Sequence, residues 1–153
     1  MLCNELMNKN VCFNYTNEPI INVINNIIDS NSKFAVVLDN NKSILGIITL
    51  LDIIKRIILN NINLNNPIIS YITSPIISCL ENDDISYAIS KIVDYKINQI
   101  IVINNKNNLL GFISFKELAM NKETNLFLND VLYEFYLDDT INPFKLLIDK
   151  KKI

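Results

Sequence analysis

Apolar residues in this chain follow two rhythms, and both rhythms occur twice. Phe34 to Leu38 is an unbroken apolar run rich in β-branched residues. The polar stretch Asp39-Asn40-Asn41-Lys42-Ser43 follows, then a second apolar run from Ile44 to Ile48. The order predicts strand, turn and strand, an antiparallel hairpin too apolar to face water on either side. Ile100 to Ile103, Asn104 to Asn108 and Leu109 to Ile113 repeat it. Upstream of each hairpin the apolar spacing becomes helical, at Ile20, Ile24, Ile27 and Ile28 and again at Ile85, Ile89, Ile92 and Val93. Pro19 suits a first turn, where no amide partner is lost. A second helix is predicted after each hairpin, from Leu50 to about Leu59 and from Phe115 to about Met120. Asn60 to Asn66, ending at Pro67, reads as a linker.

The chain has only two glycines, and they occupy matching points of the two hairpins. From Gly46 to Gly111 the offset is 65 residues, and it holds without a gap from roughly Leu6/Tyr71 onward. It pairs Ile24 with Ile89, Asp29 with Asp94, Val37 with Val102 and Ile54 with Ala119. This is a tandem duplication, with too few copies for a solenoid. The expected fold is α/β: two strand-helix-strand-strand-helix repeats related by a pseudo-twofold axis, with sites between them. The boundaries are repeat one at 1–63, repeat two at 64–122 and a helical extension at 123–153. In that extension Leu128, Val131, Leu132, Phe135 and Tyr136 mark one helix face, and Asn142-Pro143 opens a second, short helix. The tail is expected to cover exposed core; the alternative is a docking or self-association helix. Glycine weakens a strand, so its placement at Gly46 and Gly111 alone predicts a close approach of another group to the backbone.

Composition narrows the function. Half of the 153 residues are apolar, enough for a core, and the formal charge is −2. No basic stripe for nucleic acid is visible; Lys150-Lys151-Lys152 reads as a solvated tail. Apolar runs are broken by Asp52 or Asn well short of the ~20 residues a membrane helix needs. No signal-peptide pattern appears, so a soluble, cytoplasmic protein is expected. Cys3, Cys12 and Cys79 are widely spaced and the chain has no His, which argues against zinc and for free thiols in a reducing compartment.

The polar residues with chemical promise stand where strand gives way to helix. Thr49-Leu50-Leu51-Asp52 and Ser114-Phe115-Lys116-Glu117 are capping boxes by pattern. The same corner offers backbone amides to a phosphate, and its carboxylate can accept hydrogen bonds from two vicinal hydroxyls.

Val37-Leu38-Asp39, Gly46, Ile47-Ile48-Thr49 and Asp52-Ile53-Ile54, with Val102-Ile103-Asn104, Gly111, Phe112-Ile113-Ser114 and Glu117-Leu118, resemble the cystathionine β-synthase (CBS) domain. The two copies resemble a tandem CBS pair, or Bateman module, over roughly Leu6 to Met120. The resemblance implies a regulatory module that binds AMP, ADP, ATP or S-adenosylmethionine between its repeats as an effector, not a cofactor. It implies that Thr49 and Asp52 contact phosphate and ribose in one cleft, beside Gly46, and Ser114 and Glu117 in the other, beside Gly111. Val11 and Ile76, with Val36 and Ile101, would flank the base. Basic residues for phosphate are few: Lys33, Lys55, Arg56 and Lys116. Glu117 replaces Asp with a side chain one methylene longer, so the Asp52 cleft is expected to be the working one, and weakly charged ligands to suit it better than triphosphates. A homodimer and a regulated partner protein complete the expectation.

A scaffold with degenerate clefts is the alternative. An enzyme is disfavoured: there is no His for acid/base work and no glycine-rich phosphate loop. Asp83-Asp84 is better read as negative charge at a helix start, and no basic neighbour is suggested to activate a cysteine.

Overall fold

The structure, a computed structural model, describes residues 1–126 and 128. The proposed tail helices beyond Leu128 and the terminal lysines lie outside the described residues. In chain order the elements of the first half are α1 (Cys3–Leu6), β1 (Phe13–Tyr15), α2 (Ile20–Asp29), β2 (Phe34–Leu38), β3 (Ile44–Thr49) and α3 (Leu50–Asp52), which continues as a π-helix over Ile53–Ile58. A 3-10 turn at Ile68–Tyr71 leads to β4 (Ser78–Leu80), α4 (Ile85–Asp94), β5 (Gln99–Ile103), β6 (Leu109–Ser114) and α5 (Phe115–Met120).

Two three-stranded sheets form, ordered β1-β2-β3 and β4-β5-β6. In each, the lead-in strand is parallel to the first hairpin strand and the hairpin is antiparallel. The duplication extends to detail. Val37 pairs Gly46 as Val102 pairs Gly111, and the register slips at the same place, after Val37 and after Val102. The hairpin turns are closed alike: Asp39 Oδ1 accepts from the amides of Asn41 and Ser43, and Asn104 Oδ1 from those of Lys106 and Asn108. Replacing Asp39 by Asn at the second turn therefore costs it no acceptor.

Strand alternation divides the apolar residues among three cores. Ala35, Val37 and Ile48 face α2 and α3, where Ile20, Val23, Ile27, Ile53 and Ile57 meet them. Ile100, Val102 and Ile113 do the same with Ile85, Ala88, Ile92 and Leu118. The opposite faces, Phe34, Val36, Leu38 and Ile101, close against each other in a core shared by the two sheets. Phe34 and Phe112 meet edge to face there, ring centroids 5.1 Å apart. The hairpins are thus covered on both sides.

Each sheet is extended by one residue from the other end of the pattern. Asn8 exchanges backbone hydrogen bonds with Phe112 of β6 (2.8 and 3.0 Å), and Thr73 does so with Ile47 of β3 (3.0 and 2.8 Å). The glycines lie beside these bridges. A Cβ on Gly46 would stand 2.5 Å from the Thr73 carbonyl oxygen, and one on Gly111 would stand 2.7 Å from that of Asn8. The close approach expected from the sequence is a crossing backbone. It carries Cys3, Leu6 and Met7 into the second core, and Ile62, Leu64, Ile68 and Ile72 into the first.

The helix expected from Leu50 to Leu59 departs from regular α geometry. Leu59 N–H reaches back five residues to the Ile54 carbonyl (3.0 Å). The matching α5, with Leu118, Ala119 and Met120, stays α-helical. Pro19 sits one position earlier than a first turn, as the N-cap of α2.

Candidate functional site

Both strand-to-helix corners are closed by capping boxes. Thr49 Oγ1 accepts from the Asp52 amide (3.1 Å), while Asp52 Oδ2 accepts from the Thr49 amide and hydroxyl (2.9 Å each). At the other corner Ser114 Oγ accepts from the Lys116 amide (3.2 Å), and Glu117 Oε2 accepts from the Ser114 amide (3.0 Å) and hydroxyl. One carboxylate oxygen at each corner is thereby committed to the helix start.

The second oxygens meet different partners. Asp52 Oδ1 faces the Arg56 guanidinium at 3.4 Å, and Arg56 Nη1 also donates to the Tyr71 carbonyl at 3.2 Å. Arg56 thus ties the first corner to the chain that crosses above it. Glu117 Oε1 instead accepts from the neutral Asn8 side-chain amide at 3.3 Å. Beside it is a pocket of about 400 Å³, open to solvent and lined by Leu6, Asn8, Lys116, Glu117, Met120 and Asn121. One carboxylate, one cation, two amides and two apolar side chains converge there. That set can pair a diol with the carboxylate, an anion with Lys116 and a flat apolar ring with Leu6 and Met120.

The difference follows from one position. Under the 65-residue offset Arg56 corresponds to Asn121. The first helix runs on through Arg56, and a side chain four residues after Asp52 lies on the same face. The second helix stops: Asn121 is extended (φ −93°, ψ 131°) and its Oδ1 accepts from the Glu123 amide (2.9 Å). Asn121 therefore borders the pocket without reaching across Glu117.

Val11, Val36, Ile76 and Ile101, expected to flank a base, all belong to the core between the sheets. Val36 and Ile101 are fully covered there, while Val11 and Ile76 are half-buried. Leu6, Asn8, Met120 and Asn121 were not legible as site residues, because only the crossing backbone brings Leu6 and Asn8 to Glu117. The gapless register does place Asn8 opposite Thr73, the one usable signal for that crossing. Among the described residues no group of three or more acidic or thiol side chains is clustered for a metal ion, and no helix is long and apolar enough to cross a membrane.

The CBS domain family matches residues 3–59 and 68–122, nearly the whole of both repeats. The chain belongs to the CBS domain family. A curated relative, the uncharacterized protein MJ1404 of Methanocaldococcus jannaschii, is 27% identical over 109 residues, 71% of this chain. The chain spans 26% of that protein's length. Among solved structures, the CBS domain protein PAE2072 from Pyrobaculum aerophilum, complexed with AMP, superposes with a TM-score of 0.76 at 21% identity, covering 85% of this chain and 99% of that one. The CBS domain pair of protein MJ0100, in complex with 5-methylthioadenosine and S-adenosyl-L-methionine, gives 0.70 at 20% identity, covering 78% of this chain and 94% of its own. At these identities the likeness establishes a shared fold.

Proposed function

We propose that this CBS pair is a regulatory module that binds an adenosyl compound first in the Ser114/Glu117 cleft and transmits its occupancy to a partner protein. The observation that carries the reading is the open pocket at Glu117, whose outer carboxylate oxygen, among the described residues, is held by the neutral Asn8 amide. A ribose diol can replace that neutral donor with charge-assisted bonds. At the Asp52 corner it has to displace a guanidinium. This reverses the preference that carboxylate length alone suggests. AMP-bound and S-adenosylmethionine-bound structures among the relatives of like fold make the adenosyl class the natural one to test. Among the described residues Lys116 is the one cation lining the pocket, which suits a monophosphate or an amino-acid zwitterion better than a triphosphate.

The Arg56 contact gives a narrower role to the scaffold reading: the Asp52 cleft serves structure while the other binds. Self-association is part of the proposal, since Leu50, Leu51, Ile54, Ile58 and Leu59 are exposed along α3 and its π-helical continuation. So is a cytoplasmic location. A thermal-shift screen against AMP, ADP, ATP, S-adenosylmethionine and NAD tests the ligand class. AMP or S-adenosylmethionine should raise the melting temperature more than ATP does. No shift with any adenosyl compound would leave the scaffold reading for both clefts.

A further inference from the structure

The crossing lead-in brings two thiols together that are 76 positions apart in sequence. Cys3 opens α1 and Cys79 lies in β4, and their sulfurs stand 3.7 Å apart inside the second core. Neither is accessible to solvent to any useful extent (0% and 3%), and neither is in a disulfide. Cys12, the third thiol, is buried in the first core, a different environment of the same chain. We propose that Cys3 and Cys79 are a redox-modification site, a dithiol that a hydroperoxide converts to an intramolecular disulfide fastening α1 to β4.

The contact assigns the two sulfurs different parts. The Cys79 thiol donates to the Cys3 sulfur, which favours the Cys3 thiolate and lowers its pKa against burial and the nearby Asp83 and Asp84. The same bond, together with burial, raises the pKa of Cys79. In this proposal Cys3, the accepting sulfur, attacks and Cys79 resolves, with the peroxide reaching Cys3 when the four-residue α1 opens away from the core. The Cys3 thiolate attacks one peroxide oxygen, the O–O bond breaks, and the departing alkoxide, or hydroxide from hydrogen peroxide, takes up the proton Cys3 gave up and leaves as alcohol or water. Cys3 is left as a sulfenic acid, oxidised by two electrons while the peroxide is reduced. The Cys79 sulfur attacks the Cys3 sulfur, and the displaced hydroxide leaves with the Cys79 proton as water. Closing the S–S distance to about 2 Å needs a small shift of the four-residue α1. That helix is tied down by backbone bonds from Cys3 to the Asp83 carbonyl and from Asn4 to that of Glu81 (2.9 Å each). Both carbonyls lie in the turn that follows β4, so the disulfide reinforces a junction already present.

The inference is independent of the ligand reading. The full chain is treated with hydrogen peroxide without denaturant, and non-reducing peptide mapping locates any cross-link. Wild type and Cys12→Ser should both lose two hydrogen masses and yield a Cys3–Cys79 peptide pair that dithiothreitol separates. Cys3→Ser and Cys79→Ala should yield none, with circular dichroism confirming that they fold. Amide exchange at Asn8 should slow at least several-fold in the oxidised form. A native wild-type chain that forms no such pair, or pairs Cys12 instead, overturns the proposal. A Cys3–Cys79 bond that leaves exchange at Asn8 unchanged overturns the fastening.

Discussion

The two corners of this CBS pair share a backbone plan and differ in what meets the outer carboxylate oxygen. Thr49 and Asp52 form the same capping box as Ser114 and Glu117. At the first, a charged guanidinium bridges Asp52 to the Tyr71 carbonyl; at the second, the Asn8 amide touches Glu117 and a pocket stands open. Duplication preserved the element that shapes the cleft and left the side chain one helical turn later free to diverge. The two corners therefore differ at Arg56, which pairs with Asp52, and Asn121, which borders the pocket, both outside the motif that defines the family resemblance.

The largest effects should come from the glycines, where the two halves are equally intolerant but differ in consequence. Gly46→Ala and Gly111→Ala each force a methyl against a backbone oxygen and should cost ~1–3 kcal/mol in urea unfolding. Gly111→Ala also presses on Met7 and on Asn8, which lines the open pocket, and should lower AMP affinity; Gly46→Ala presses on Ile72 and Thr73 and should not. Equal affinity losses would remove the distinction between the clefts. Next is the guanidinium. Arg56 is 43% exposed, so Arg56→Ala should change stability by no more than ~1 kcal/mol. In calorimetry it should nevertheless raise the AMP bound per chain from one to two. A stoichiometry that stays at one would mean that something other than Arg56 closes the first cleft.

The smallest effect concerns the caps of the two long helices. Asp84 caps α4, accepting from the Ser86 amide (2.9 Å) and hydroxyl (2.6 Å), whereas the matching Pro19 gives α2 no side-chain cap. Those bonds hold the Asp84 pKa below its ordinary 3.8. Because the folded value is depressed, this stabilisation is full above 3.8 and disappears as pH falls through the folded value. Urea midpoints of wild type should fall more steeply in that acid range than those of Asp84→Asn. Parallel curves would show that the cap carries no linked proton.

Much of this was legible in the sequence, for physical reasons that can be named. A gapless offset imposes the same hydrogen-bond register on both hairpins, down to the slip after Val37 and Val102. The capping boxes were legible because their bonds span only three residues. The crossing was not, since helical and strand periodicity states which face is apolar and not which sheet covers it. Asn8 reaches Glu117 from 109 positions away. The Arg56–Asp52 spacing was visible, but its importance depends on the helix continuing past Ile53 while its counterpart stops at Met120. Carboxylate length was legible, but the neighbours of each carboxylate, Arg56 at Asp52 and Asn8 at Glu117, were not.

The central claim is that Glu117, not Asp52, holds the first ligand. Calorimetric titration of wild type, Glu117→Gln and Asp52→Asn with AMP tests it directly. Each charge-assisted bond to a ribose hydroxyl is worth roughly 1.5–3 kcal/mol. At about 1.4 kcal/mol per decade, Glu117→Gln should weaken binding at least tenfold, while Asp52→Asn should bind like wild type. Tenfold weakening in Asp52→Asn with Glu117→Gln unaffected would contradict the account and return the working site to the first cleft.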